Sequence, residues 1–202
     1  DGGFAWTSAA GDPQPWLELD LHAVCEFGGL TLEWADGQPA RDYTVALSLD
    51  GQNWEIAAEV RGGNGGRDHV ALPDAEARYV RLAMQAPDGG AVGLRRIELR
   101  PLAYSQSSNA LYATLAREAP RGRFPGHLLS EQVPWTVVGV AGDRDEALLS
   151  AHGAVELDKR GPSVEPFVWT GDRLITWADV EYSQSLDAGY LPIPTVTWRA
   201  EG

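Results

Sequence analysis

Apolar and polar positions alternate with a period of two through much of this chain. Tyr43, Val45, Leu47 and Leu49 alternate with Thr44, Ala46 and Ser48, which places one apolar face inward and leaves the other to water. Asp50-Gly51 predicts a turn, because glycine tolerates positive φ and an aspartate side chain bonds to nearby backbone. Trp54, Ile56 and Ala58 resume the alternation, so residues 43–60 read as a β-hairpin with an aromatic anchor just past its turn. Upstream, Leu17, Leu19 and Leu21 face one way and Glu18 and Asp20 the other, while Leu30, Leu32 and Trp34 are in step on a strand from Val24 to Trp34. Downstream, His69 to Leu72, Arg78 to Leu82 and Leu94 to Leu99 read as extended, with a flexible turn at residues 62–66. Short strands separated by turn residues predict a sandwich or barrel.

The pattern changes after Pro101. Ser108-Asn109 predicts a cap for a short helix from Ala110 to Glu118, with Leu111 and Leu115 on one face. From Phe124 the reading returns to β: a strand at Trp135–Val140, a hairpin within Val164–Trp177 turning at Thr170-Gly171-Asp172, and a last strand at Thr195–Trp198. The prolines of Leu191-Pro192-Ile193-Pro194 confine that run to an edge or an extended segment. The expected class is all-β: residues 1–101 form one β-sandwich, residues 102–122 a linker with a short helix, and residues 123–202 a second, partial β-rich unit.

The chain has 202 residues and a net charge of -13, with an isoelectric point near 4.6. Such an acidic balance argues against nucleic acid and anionic membrane surfaces as partners. No run approaches the roughly 18 to 20 apolar residues of a membrane span. The opening Asp1-Gly2-Gly3 has no apolar leader, so any signal peptide is expected to lie outside this sequence. The single Cys25 excludes an internal disulfide and a cysteine metal cluster, and reads as a small core filler. Eight tryptophans serve cores and sugar platforms equally well, so their number decides nothing.

The series Trp6-Thr7-Ser8, Pro15-Trp16-Leu17-Glu18-Leu19-Asp20-Leu21, Tyr43-Thr44-Val45 with Ser48-Leu49-Asp50-Gly51 and Trp54, and Ala77-Arg78-Tyr79-Val80-Arg81-Leu82 resembles the discoidin, or coagulation factor 5/8 type C, module. The resemblance covers residues 1 to about 101. It implies an eight-stranded jelly roll, and bacterial modules of this type resemble carbohydrate-binding modules attached to glycoside hydrolases. Members usually carry a further strand before the position of Asp1, so the sequence is expected to begin inside the domain. They also hold a structural calcium, whereas here the loop Asp1-Gly2-Gly3-Phe4-Ala5 is short and Arg96 stands where many members place an acid. Asp1 with backbone carbonyls is the reduced calcium site that remains. Residues 153–167 and 191–198 resemble, more loosely, a β-sandwich that precedes an (α/α) barrel in large bacterial glycosidases, which implies that the catalytic barrel lies beyond this sequence. The implied location is extracellular or periplasmic, and the implied partners are a glycan and the catalytic remainder of the same polypeptide.

Catalysis finds little support in the residues. Glycoside hydrolysis needs two carboxyl groups about 5 to 9.5 Å apart, and no motif pairs Glu131, Asp143, Asp145, Glu165, Asp179 or Glu181. His22, His69, His127 and His152 lack ligand spacing, Ser130 and Ser150 lie in no nucleophile elbow, and the glycines of 62–66 precede no helix. Binding fits better. By order along the chain the ligand loops of a discoidin-type module fall at Phe4, 34–41 and 84–92. Phe4 and Trp34 are candidate stacking faces, and Asp36, Gln38, Arg41 and Asp88 candidate hydrogen-bonding groups. Against this stand core packing for Trp34, Trp6, Trp16 and Trp54, and a surface ion pair of Arg41 with Asp42 or Asp36. A spacer without sugar binding is the alternative role, and lipid binding the weakest one because acidic charge repels anionic head groups.

Overall fold

The computed structural model describes residues 5–88, 90–142, 144–158 and 161–200. Two compact units divide the chain, residues 1–111 and 112–202, and the boundary falls inside helix α1 (Ser108–Glu118). Ser107, one residue earlier than expected, supplies the cap: its hydroxyl accepts the Ala110 N–H at 3.1 Å.

Among its described residues the first unit forms one antiparallel sheet of six strands: β1 (Trp6–Thr7), β2 (Trp16–Trp34), β3 (Tyr43–Ser48), β4 (Glu55–Val60), β5 (Arg67–Met84) and β6 (Gly93–Arg100), in the order β1-β6-β2-β5-β3-β4. The two strand regions expected over 16–34 are one strand, and so are those expected at 69–72 and 78–82. Both long strands bend together. Their mutual register shifts between Asp20 and Cys25 and again between Phe27 and Gly29, which lets a continuous strand turn a corner. The first half of β2 therefore pairs with the second half of β5, and through it with β3 and β4; the second half of β2 pairs with the first half of β5 and with β6.

The core gathers from both halves. Leu30, Leu32, Val70 and Leu72 come from one, Val45, Val80, Leu82 and Met84 from the other, and all join a single buried cluster. Close approach at the bend excludes side chains: a Cβ on Gly29 would lie 2.2 Å from the Val70 carbonyl oxygen. Cys25 sits half-buried in this bend rather than filling the core, with its Sγ 3.5 Å from the Ala23 carbonyl oxygen.

The hairpin forms at β3 and β4, with one departure. A bulge pairs Val45 with Ala58 but Ala46 with Ile56, so Ala58 points to the core and Ile56 to solvent. The expected common face of Trp54, Ile56 and Ala58 is broken by that extra residue, since an inserted residue reverses the alternation.

The described residues of the second unit form a four-stranded sheet and two hairpins. The sheet runs β10-β9-β8-β7, from β7 (Trp135–Val138), β8 (Ala147–Ser150), β9 (Val155–Glu156) and β10 (Ser163–Val164). One hairpin joins β11 (Val168–Trp169) to β12 (Leu174–Ile175), the other β13 (Glu181–Leu186) to β14 (Pro194–Arg199). Pro194 opens β14 opposite Leu186, at the end of the ladder, where a proline is tolerated. The chain is thus all-β in class, a β-sandwich followed by a second β-rich unit.

Candidate functional site

The outward face of β2, β5, β3 and β4 follows directly from alternation. Leu17 and Leu19 stand opposite Leu82 and Val80 on the core side, which leaves Trp16 and Glu18 opposite Ala83 and Arg81 on the solvent side. Continuing across the sheet, Ala83 pairs with Thr44 and Thr44 with Glu59, so one row reads Trp16, Ala83, Thr44, Glu59. The floor of that row is small, and its ends are large. The result is a trough of about 720 Å³ walled by Trp16 at one side and Glu59 and Arg61 at the other, with Gln14, Asp42 and Gln85 at its rim.

Trp16 is 59% exposed. It was expected in the core, yet its parity with Glu18 and Asp20, opposite to Leu17, Leu19 and Leu21, already assigns it to the polar face. Arg81 braces it. Its guanidinium lies 5.5 Å from the Trp16 ring and 3.8 Å from the Trp54 ring, and its Nη2 lies 2.7 Å from Glu18 Oε2. Cation–π contacts of this kind contribute about 0.5–2 kcal/mol each. Trp54 is therefore a half-buried support for Arg81 and not a core residue. Its position is set by the turn: Gly51 has φ +75°, the Asp50 carboxylate accepts the Gln52 and Asn53 N–H groups at 2.8 Å, and Trp54 Nε1 donates to the Gly51 carbonyl at 3.2 Å. Those backbone donors, Asn53 first, hold the Asp50 carboxyl well below the usual carboxylate range.

The loop end adjoins this trough. A smaller hollow of about 500 Å³ is lined by Gly37, Pro39, Arg41, Asn64 and Pro87, and shares Asp42 and Gln85 with the trough. The 61–63 loop is tied to it, since Gly63 N–H donates to the Arg41 carbonyl and Gly62 N–H to the Asp42 carboxylate. Of the residues singled out by sequence, Arg41 lines this hollow. Asp36 is exposed and pairs with Arg95 at 2.8 Å. The Gln38 side chain sits against Gly93, where a Cβ would lie 2.6 Å from its Oε1. Asp88 is exposed beside Pro87.

Trp34 is 3% exposed and belongs to the core. Its Nε1 and the Tyr43 hydroxyl both donate to Asp68 Oδ2 at 2.9 Å, and the two rings meet edge to face. Burial, with the Asp68 charge, pushes the Tyr43 hydroxyl far above its ordinary pKa. No ring face of Trp34 is left for stacking on a ligand, because its period-two partners Leu30 and Leu32 carry it inward. Phe4 and Asp1 lie outside the described residues.

Asp1, the centre of the reduced calcium site expected from the sequence, lies outside the described residues. Among them no three His, Cys, Asp or Glu side chains gather, Arg96 pairs with Glu98, and Arg95 occupies Asp36.

The first unit thus presents a bent β-sandwich whose outer face carries an exposed indole beside a floor of small residues. Residues 1–99 match the family model of the F5/8 type C domain, so the discoidin resemblance is shown over this stretch. No curated protein matches the chain. Among solved structures, a variant of chitosan-binding module 1 from a chitosanase/glucanase of Paenibacillus sp. IK-5 is 26% identical, covering 49% of this chain and 78% of that one, with a TM-score of 0.45. CpGH89CBM32-6 of Clostridium perfringens is 17% identical over 50% of this chain and 80% of its own, with a TM-score of 0.44. A GH29 fucosidase of Ruminococcus gnavus is 20% identical, covering 48% of this chain and 20% of its own, with a TM-score of 0.44.

Proposed function

We propose that the first unit is a non-catalytic glycan-binding module. The observation that carries this is Trp16: a large indole on the solvent face, braced by Arg81, which also lines the trough, beside a floor too small to obstruct a ligand. An apolar ring face with a few polar groups around it is the chemistry that sugars need. Trp16 stacks on a pyranose ring, and Gln14, Glu59, Arg61 and Gln85 hydrogen-bond its hydroxyls. Arg41, Asp36, Gln38 and Asp88 belong to the adjoining loop end, where a longer glycan continues, and order along the chain alone assigns Phe4 to the same group. In this reading the module serves a larger, secreted bacterial glycoside hydrolase, in the extracellular or periplasmic space, with the catalytic region of the same polypeptide as its second partner.

The test is calorimetric titration of the 202-residue chain against neutral monosaccharides and oligosaccharides, with calcium and with a chelator. Weak binding that does not depend on calcium, and that Trp16→Ala abolishes, is the expected outcome. Phe4→Ala and Asp36→Ala then report on the loop end: a loss there with Trp16→Ala silent would move the site from the trough to the loops. No binding by a folded sample to any sugar would return the module to a spacer role.

A further inference from the structure

The second unit contains a pocket that the trough does not involve. Arg121, Glu131, Gln132, His152, Trp177 and Tyr182 line a hollow of about 480 Å³. Its inner wall is built to stay in place. Thr176 and Asp179 form a reciprocal cap around Trp177, and Trp177 Nε1 donates to the Phe124 carbonyl at 3.1 Å. His152 lies flat on Trp177, with centroids 4.5 Å apart and planes at 4°, and its own carbonyl accepts Trp198 Nε1 at 2.9 Å. Gly122, at φ +90°, lets the chain beside Arg121 press against this wall: a Cβ there would meet Thr176 Oγ1 at 1.9 Å.

The outer wall carries the hydrogen-bonding groups. Arg121 pairs with Glu131 at 3.1 Å, and the Tyr182 hydroxyl lies 3.2 Å from His152 Nε2. Tyr182 is 45% exposed and its ring stands at 82° to the imidazole, so His152 can cover at most one of its faces and leaves the other to a ligand. Burial, followed by Glu131 acting the other way and Arg121 adding to it, leaves His152 below its ordinary pKa, hence neutral near pH 7. The pocket thus sums to no net charge while offering a guanidinium and an amide as donors, and a carboxylate, an amide and a phenol as acceptors. An anion would meet Glu131 and a cation Arg121. A polyol, whose every hydroxyl both donates and accepts, meets neither penalty.

We propose that this pocket is a second sugar site, taking one neutral pyranose residue on Tyr182, with Arg121, Glu131 and Gln132 bonding its hydroxyls. It does not depend on the trough of the first unit. Protein with its histidine rings labelled with ¹⁵N is titrated with the methyl glycosides of glucose, galactose and N-acetylglucosamine to about 100 mM, roughly a hundredfold above a Kd of ~1 mM. The expected result is a saturable movement of the His152 ring resonances that persists in Trp16→Ala. It weakens by about tenfold or more in Glu131→Gln, where a charged hydrogen-bonding partner is lost, and is abolished in Tyr182→Ala. Tyr182→Phe, which keeps the ring, retains it. Stationary His152 resonances with all three glycosides would overturn the proposal even where calorimetry finds sugar on the first unit, and so would an unchanged titration in Glu131→Gln.

Discussion

The two units are held together by different means. In the first, alternation on long strands delivers Leu30, Leu32, Val45, Val80, Leu82 and Leu94 into one buried cluster. In the second, the buried apolar side chains among the described residues are Ala116, Ala151, Ala154 and Trp177, while Val140, Phe167, Trp169, Tyr190 and Ile193 are exposed. What the second unit has instead is a set of pins. Trp177 donates to Phe124, Trp198 to His152 and Trp169 to Gly171, Ala154 N–H donates to the buried Ser150 hydroxyl at 2.9 Å, and Thr176 and Asp179 cap each other. Burial spreads stability over many residues, whereas pins concentrate it in few.

The largest consequence is expected at Trp177. Trp177→Ala removes the floor under His152 and the bond to Phe124, and should lower the stability of the second unit by about 3–5 kcal/mol. Calorimetry should show its transition lost while that of the first unit stays. Leu82→Ala, at the centre of the other core, should cost about 2–5 kcal/mol in the first unit's transition alone. A joint shift of both transitions in either variant would show that the two units do not melt separately. Thr176→Val removes the cap and should cost about 1 kcal/mol, read from the urea midpoint of the second unit; no change would mean that the pins are decorative.

Acid should separate the units with the smallest effect. Arg78, and then the His22 N–H, pull Asp20 down to about 2, and Asp50 and Glu33 are also lowered, the latter by Arg67. A depressed carboxylate stabilises the fold above its ordinary range and loses that contribution as pH falls toward its folded value. The first unit should therefore hold until below about pH 4. His152 is depressed from 6.5 by burial; its neutral form is the folded one, so its contribution is present above pH 6.5 and fades as pH falls below it. Glu165, raised by burial, works the other way. The second unit should begin to lose melting temperature between about pH 7 and 5, and His152→Phe should flatten that slope. A first unit that softens first would reverse the assignment.

The sequence made the strands legible wherever apolar parity was unbroken. Leu30, Leu32 and Trp34 go inward together, and the same rule that made them a strand takes Trp34 away from any ligand. Parity failed between Ile56 and Ala58 because a bulge has no signature in side-chain type. The bends at residues 20–29 were invisible for a related reason: they merge what read as separate strands without changing the residues that face the core. At the candidate site, Arg41 lines the loop-end hollow, whereas Trp16 was misassigned to the core by its size even though its parity was correct. The His152 pocket could not have been found from spacing, because Arg121, Glu131, His152 and Tyr182 come from four separate segments.

The row Trp16, Ala83, Thr44, Glu59 runs across the strands and not along them. Neighbouring strands lie about 4.8 Å apart, so a ligand laid over the row meets one side chain from each of four strands over roughly 14 Å. Each contact can then be exchanged by a single substitution whose neighbours in sequence point into the core and are left untouched. Such a surface is modular in the genetic sense: its preference for one ligand or another can drift position by position, under a fold that never has to be redesigned.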